Sequence, residues 1–166
     1  FQNINLQGQY LGENGLAHNA HVKDDLVYIS HYTTGIKIVD IFDPENPVEV
    51  AAYDTHPQND GGGFYGCWGA FPFTNNDYVY ASDMQNGLFI LKFDEKHAGW
   101  IEGQVFNYSS QPMENFTLKS LTNNKIFESS DGSFFIGHPE GVHQFELFFN
   151  NEVLEVFDIE FFAHEV

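Results

Sequence analysis

The feature that most constrains this chain is an internal repeat. Displacing the sequence by 52 residues lays LVYISHYTTGIKIVDIF (Leu26 to Phe42) over YVYASDMQNGLFILKFD (Tyr78 to Asp94). Five aligned pairs are identical: Val27 with Val79, Tyr28 with Tyr80, Ser30 with Ser82, Gly35 with Gly87 and Ile38 with Ile90. Each copy reads strand, short turn closed by glycine, strand, and the glycine supplies the positive φ that a tight hairpin turn requires. A period near 50 residues with several strands per unit is the pattern of propeller blades. Runs such as IKIVDIF are apolar on both faces, as expected of strands covered on both sides. About two blades are present, whereas closed propellers use roughly four or more. Either the rest of the ring lies elsewhere or copies of the chain complete one another's sheets.

Short β-branched and aromatic runs broken by Gly, Pro, Asn and Asp continue to the C-terminus, and no stretch holds a helical period. The predicted fold is therefore all-β: a partial β-propeller over 1–100 and a small antiparallel β-sandwich over 101–166. Strands are expected at Ile4–Tyr10, Ala17–Val22, Leu26–His31, Ile36–Phe42, Val48–Tyr53, Tyr78–Ser82 and Leu88–Phe93. Further strands are expected at Ile101–Asn107, Phe116–Thr122, Ser133–Gly137, Gly141–Phe149 and Val153–Phe162. INLQGQY, just ahead of the first repeat, reads as the outer strand of a preceding blade. Asp131 and Gly132 read as a hairpin turn within the sandwich. A domain of that size is marginal alone and gains from docking. Phe1 reads as a cut end rather than the start of a primary product.

Charge narrows the function. There are 24 Asp plus Glu against 6 Lys and no Arg, a net charge of −18. Such a surface excludes nucleic acid, whose phosphates demand clustered cations, and disfavours anionic membranes. No apolar run approaches the roughly 18 residues of a membrane span. Cations would relieve self-repulsion, calcium before zinc given the oxygen-rich side chains, although no EF-hand run is present. Cys67 is the single cysteine, so it has no internal disulfide partner.

The ordered matches through His18 and Asn19, LVYISHYTTGIKIVDI with Gly35 and Asp40, DPENPVEV with Asp43, Pro44 and Pro47, and Tyr53 to Thr55 form a recognisable set. They continue through GCWGAFPF, with Trp68, Gly69 and Pro72, into ASDMQNGLFIL with Asp83 and Gly87. This region resembles LVIVD-repeat proteins of the choice-of-anchor B type, which are secreted or surface-attached bacterial β-propeller proteins. The segment from Ile101, with Gly103, Asp131, Gly132, Phe134 and Gly141, resembles a carboxypeptidase regulatory-like domain of immunoglobulin or transthyretin type. These resemblances imply an extracellular or bacterial cell-surface location and a β architecture, and they carry no catalytic residues onto this chain.

Candidate sites follow from the residues. His18, His21, His31 and Asp83 lie in or beside strands that can face a propeller channel, but neither HExxH nor CxxC accompanies them. Hydrogen bonding of His18 and Asn19 to blade backbone, and capping of a turn by Asp83, is the expected role. Asp24, Asp25 and Asp60 read as turn residues, and Cys67 as a packed thiol. No catalytic set and no metal set is expected, so the chain reads as non-enzymatic. Paired edges are the leading signal: Ile4, Leu6 and Tyr10 at one end, and Phe157, Ile159 and Phe161 in the alternating EVLEVFDIEFF run at the other, offer strands for addition to a second copy. The alternative is a binding module for a glycan or protein ligand through Tyr65, Trp68 and Phe71, within an aromatic group that includes Phe64 and Phe73. Asn107 and Asn115 sit in glycosylation sequons. The reading is a self-assembling structural protein whose partner is itself, in a filament or other oligomer.

Overall fold

The computed structural model describes residues 3–13, 16–59 and 61–164, so Phe1 and Asp60 lie outside the described residues. All regular structure in them is β, in thirteen strands. The chain divides into two compact units, Phe1–His97 and Ala98–Val166. The division falls three residues before the expected boundary, because the strand beginning at Ala98 pairs within the second unit.

In the first unit, β1 (Asn19–Lys23), β2 (Leu26–Ser30), β3 (Ile36–Asp40) and β4 (Val48–Tyr53) form an antiparallel meander in sequence order. Its turns follow local chemistry. Asp24 takes a left-handed φ of 54° between β1 and β2, and Gly35 takes 80° between β2 and β3. A second antiparallel sheet joins β5 (Cys67–Phe71), β6 (Tyr78–Asp83) and β7 (Gly87–Lys92). Gly87 closes its β6–β7 turn at φ 87°, in the same role as Gly35. Leu26, Tyr28, Ile36 and Ile38 of the first sheet pack with Cys67, Ala70, Val79 and Ala81 of the second in one buried cluster. Two stacked antiparallel sheets related by the repeat are the arrangement of adjacent blades.

Three expectations change here. Ile4–Tyr10 forms no strand, because its contacts are with a side chain and a turn carbonyl of the first sheet rather than with the backbone of an edge strand. Strand β5 was not expected, since a Gly-rich stretch and the small residues of CWGAF hide its alternation, and a bulge between Cys67 and Gly69 interrupts it. Four-residue β10 is too short to give a periodic signal.

The second unit contains β8 (Ala98–Gln104), β9 (Phe116–Ser120), β10 (Ile126–Ser129), β11 (Ser133–Pro139), β12 (Gly141–Phe149) and β13 (Glu152–Phe161). One sheet has the order β10-β9-β12-β13, and β8 pairs with β11 in another. Phe116, Leu118, Ile136, Phe145, Leu147 and Phe161 fill the core between them. Gly132, at φ 91°, turns the chain from β10 to β11. Because those strands lie in different sheets, the Asp131–Gly132 turn is a corner and not a hairpin. Asp131 supports it by accepting bonds from the Ser133 amide at 2.9 Å and hydroxyl at 2.6 Å.

His138 is buried in this core, its Nε2 at 3.0 Å from the Ser120 hydroxyl and its ring 3.8 Å from that of His143. Burial, with the neighbouring His143, lowers its pKa from 6.5 to about 4. A histidine held neutral by folding costs stability once the unfolded chain can bind the proton. The contribution is therefore complete above pH 6.5 and is lost as pH falls toward about 4. Two measurements test the packing. Unfolding midpoints between pH 7 and 4 should fall by about 3 kcal/mol more in the native chain than in His138→Gln, and parallel curves would refute the assignment. Gly35→Ala places a Cβ 2.0 Å from the Tyr53 carbonyl oxygen, whereas at Gly87 nothing lies within 4 Å. Gly35→Ala should thus cost more than about 3 kcal/mol and Gly87→Ala about 1 kcal/mol, read from denaturant midpoints.

Candidate functional site

The second sheet is two-faced. Along one face, cross-strand rows place Phe71 beside Tyr80 and Ile90, Ser82 beside Leu88, and Tyr78 beside Lys92. Residues of opposite phase, Ala70, Val79, Ala81, Phe89 and Leu91, turn toward the first sheet. The first set is left in solvent: Leu88 is 67% exposed and Ile90 60%, with Phe71, Tyr78 and Tyr80 also exposed. A contiguous face of this kind is atypical of a free surface.

The same sheet is short by one strand. Adding 52 to the bounds of β4 gives 100–105, which overlaps β8. That strand pairs with β11 in the second unit. Among the described residues no strand pairs with the outer edge of β7. A row of backbone donors and acceptors therefore lies open beside the exposed apolar face.

Residues 3–13, which lie in no strand, complement this description. Residues Gly8 to Gly12 touch the first sheet: a Cβ on Gly8 would meet the Pro44 carbonyl, and one on Gly12 would meet the His31 ring. The Tyr10 hydroxyl donates to Glu49, which also pairs with Lys37 at 3.4 Å. Burial and the Glu49 carboxylate raise the Tyr10 phenol well above its usual pKa. Lys37 and Glu49 lie on the face with Ile29 and Val39, opposite that of Tyr28 and Ile38, which packs on the second sheet. The preceding residues Asn3 to Gln7 are all exposed, Ile4 by 88% and Leu6 by 83%. From Asn3 to Gly12 the sequence carries no charge.

The structure separates the expected assembly residues. Ile4 and Leu6 are free to meet a partner, but Tyr10 is an anchor to its own sheet. Phe161 is 1% exposed, and Phe157 and Ile159 pack against the core of the second unit. Opposite them across β12 stand Phe145, His143 and Gly141, so these side chains are used internally and offer no face to a partner. Strand β13 is an edge. Glu152, Glu155, Asp158 and Glu160 charge that edge, the usual protection against strand pairing.

The aromatic residues divide as well. Trp68, in the β5 bulge, stacks against His18 at 4.1 Å, with Tyr32 6.1 Å away and Phe64 5.4 Å beyond Tyr32. Phe71 instead meets Phe73 at 5.6 Å, and Phe73 meets His21 at 5.9 Å. Tyr65 is half exposed in the loop before β5, where a Cβ on Gly63 would meet its ring. Trp68 and Phe71 thus belong to neighbouring aromatic groups, and Tyr65 lines neither stacked pair.

Other polar candidates are engaged in structure. The buried Asp83 carboxylate accepts the Thr55 hydroxyl and the Gln85 and Asn86 amides, each at 2.8 Å, and caps the β6–β7 turn. His31 meets the Thr34 hydroxyl at 2.7 Å, and burial with Lys37 nearby lowers its pKa. His18 joins the blade through its backbone amide to Ser30 at 2.8 Å, and Asn19 bonds the Ser30 hydroxyl at 3.1 Å. Cys67 is fully buried, and burial pushes its thiol up to about 11, so it is neither nucleophile nor bridge. Asn107 spends its side-chain carbonyl on the Ser109 and Gln111 amides, at 2.9 and 3.1 Å, while Asn115 is exposed at φ 59°.

Sequence reasoning missed Tyr78, Tyr80, Leu88 and Ile90 as surface residues. The absent counterpart of β4 was the available signal, since a repeat that loses its outer strand exposes the one before it. In comparisons with known proteins, the LVIVD repeat family model matches residues 14–55, the stretch containing β1 to β4. No curated protein and no solved structure matches the chain.

Proposed function

We propose that this chain is a non-enzymatic, extracellular structural protein of β-propeller-like repeats that assembles with copies of itself through its second sheet. The observation that carries the reading is the open second sheet, exposed both on its Leu88–Ile90 face and along the β7 edge. The first sheet has four strands and the second has three, so a partner that covers the second sheet continues the stack. The LVIVD match to the first repeat supports a blade-type stack, and the resemblance to surface-attached LVIVD-repeat proteins supports the location. The second unit fits an immunoglobulin-like or carboxypeptidase regulatory-like accessory domain carried by the stack.

Contacts between unlike surfaces of successive copies are heterologous, and they build rings when the rotation closes and helical filaments when it does not. With −18 charges per copy, long-range repulsion opposes association. Calcium or raised ionic strength therefore favours the assembly. Asp83, His31 and Cys67, the groups best suited to chemistry by type, are committed to buried structural contacts, which supports a structural role over a catalytic one.

The test is mass by light scattering, with electron microscopy, in buffer with and without calcium. Native protein should form oligomers or filaments that grow with calcium. The variant Leu88→Asp/Ile90→Asp should be monomeric with an unchanged circular dichroism spectrum, because both side chains are exposed. A native chain that stays monomeric at high concentration in either buffer refutes the proposal. The exposed Trp68, stacked on His18, favours saccharide binding as a second reading. That reading expects saturable binding of an oligosaccharide to the monomeric variant, lost on Trp68→Ala.

A further inference from the structure

The open edge of β7 and the N-terminal arm have matching defects. One is a strand edge without a strand, and the other is a strand-forming segment without an edge. We infer that residues Asn3 to Gln7 of a second copy pair with β7 as the missing fourth strand of the second sheet. This inference rests on the self-assembly reading above and names the segment that makes the contact.

Burial divides the N-terminal segment into two functional parts. Gly8, Tyr10 and Gly12 are half-buried against the first sheet, while every residue from Asn3 to Gln7 is exposed. The anchor is held by the Tyr10–Glu49 bond and the close approach of Gly8 to the Pro44 carbonyl. The arm ahead of it makes no backbone-to-backbone hydrogen bond among the described residues. Five extended residues reach about 16 Å, close to the span of β7. Several strands of this protein, among them β1, β2 and β3, have five residues.

Alternation fits the acceptor. In a paired strand Ile4 and Leu6 face one side, and Asn5 and Gln7 the other. Placing Ile4 and Leu6 on the side of Leu88 and Ile90 extends the apolar face, with Asn5 and Gln7 on the side of Phe89 and Leu91. Antiparallel addition to β7 reproduces the way β4 joins β3 in the first repeat.

Charge permits this pairing. An approaching copy carries a net −18, yet Asn3 to Gly12 has no charged residue. Within Gly87–Lys92 the one charge is Lys92, which lies 2.6 Å from Asp94. The competing edge strand β13 brings four carboxylates, and two such edges repel. An uncharged arm and an acid-free edge meet without that penalty.

Position makes the donor another molecule. The anchor at Tyr10 and Glu49 lies on the face of the first sheet that points away from the second sheet. The first sheet therefore stands between the arm and its own β7, and five residues do not carry it around. A second copy has no such obstacle.

The experiment compares native protein with Ile4→Asp/Leu6→Asp and Leu88→Asp/Ile90→Asp, using sedimentation for mass and hydrogen exchange for the β7 amides. A synthetic peptide of the sequence Asn-Ile-Asn-Leu-Gln serves as a competing strand. Expected is protection of β7 amides in the native assembly, association at least about 100-fold weaker in the arm variant, and shortened assemblies with excess peptide. Assembly and β7 protection left intact in the arm variant, with Leu88→Asp/Ile90→Asp dissociated, overturns the arm and keeps the self-assembly reading. Loss of assembly in the arm variant without any β7 protection in the native assembly also overturns the pairing. A native chain that never associates overturns both.

Discussion

Burial of one face of each blade against the next is the interaction on which the first unit depends. Leu26, Tyr28, Ile36 and Ile38 pack with Ala70, Val79 and Ala81, and the strands alternate so that the same residues fix the register of both sheets. Every local device noted above keeps those faces parallel and close. Gly35 lets β2 and β3 turn beneath the Tyr53 carbonyl, Asp83 ties the β6–β7 turn to Thr55, and Cys67 enters where a larger side chain has no room. A sheet built this way has two apolar faces, and covering one leaves the other to be dealt with. The first sheet meets that need on its far side, where Ile29 and Val39 are buried and Tyr10 reaches Glu49. Among the described residues the second sheet has no equivalent.

How much of this was legible in the sequence depended on whether the signal was local or relational. Both hairpins of the repeat, their closing glycines and the all-β class follow from short-range pattern, because turn chemistry and alternation are properties of neighbouring residues. Val48–Tyr53 and Gly141–Phe149 were recovered to the residue. What failed was partnership. INLQGQY has the alternation of a strand but pairs with none, and β13 has the alternation of an assembly strand but spends Phe157, Ile159 and Phe161 on its own core. Alternation reports that a face is apolar and does not say which surface covers it. Strand β5 fell to the opposite error, since CWGAF is a strand by partnership with β6 more than by propensity.

The exposed sheet edges differ in charge. Strand β13 ends a sheet, and its four carboxylates make parallel or antiparallel pairing with a like strand unfavourable. Strand β7 also ends a sheet, and Gly-Leu-Phe-Ile-Leu-Lys carries no acid at all. Asn3 to Gly12 carries none either. In the proposed pairing, the arm and the β7 edge meet without bringing carboxylates together.

Under the proposed pairing, their placement also determines the form of the assembly. The arm departs from the outer side of the first sheet, and the acceptor edge belongs to the second, so one copy holds a donor and an acceptor that cannot satisfy each other. A twofold pair would leave the stack finite, with both exposed sheets buried against one another. A donor and acceptor on opposite sides of a two-sheet stack instead repeat one rotation and translation from copy to copy. Whether that repetition closes into a ring or runs on as a filament depends on the twist between successive sheets, which is the same quantity that sets the number of blades in a propeller made from one chain. Assembly by this route is thus blade stacking continued across chain ends, with the missing strand supplying the link that a covalent connection supplies between the two sheets of a single copy.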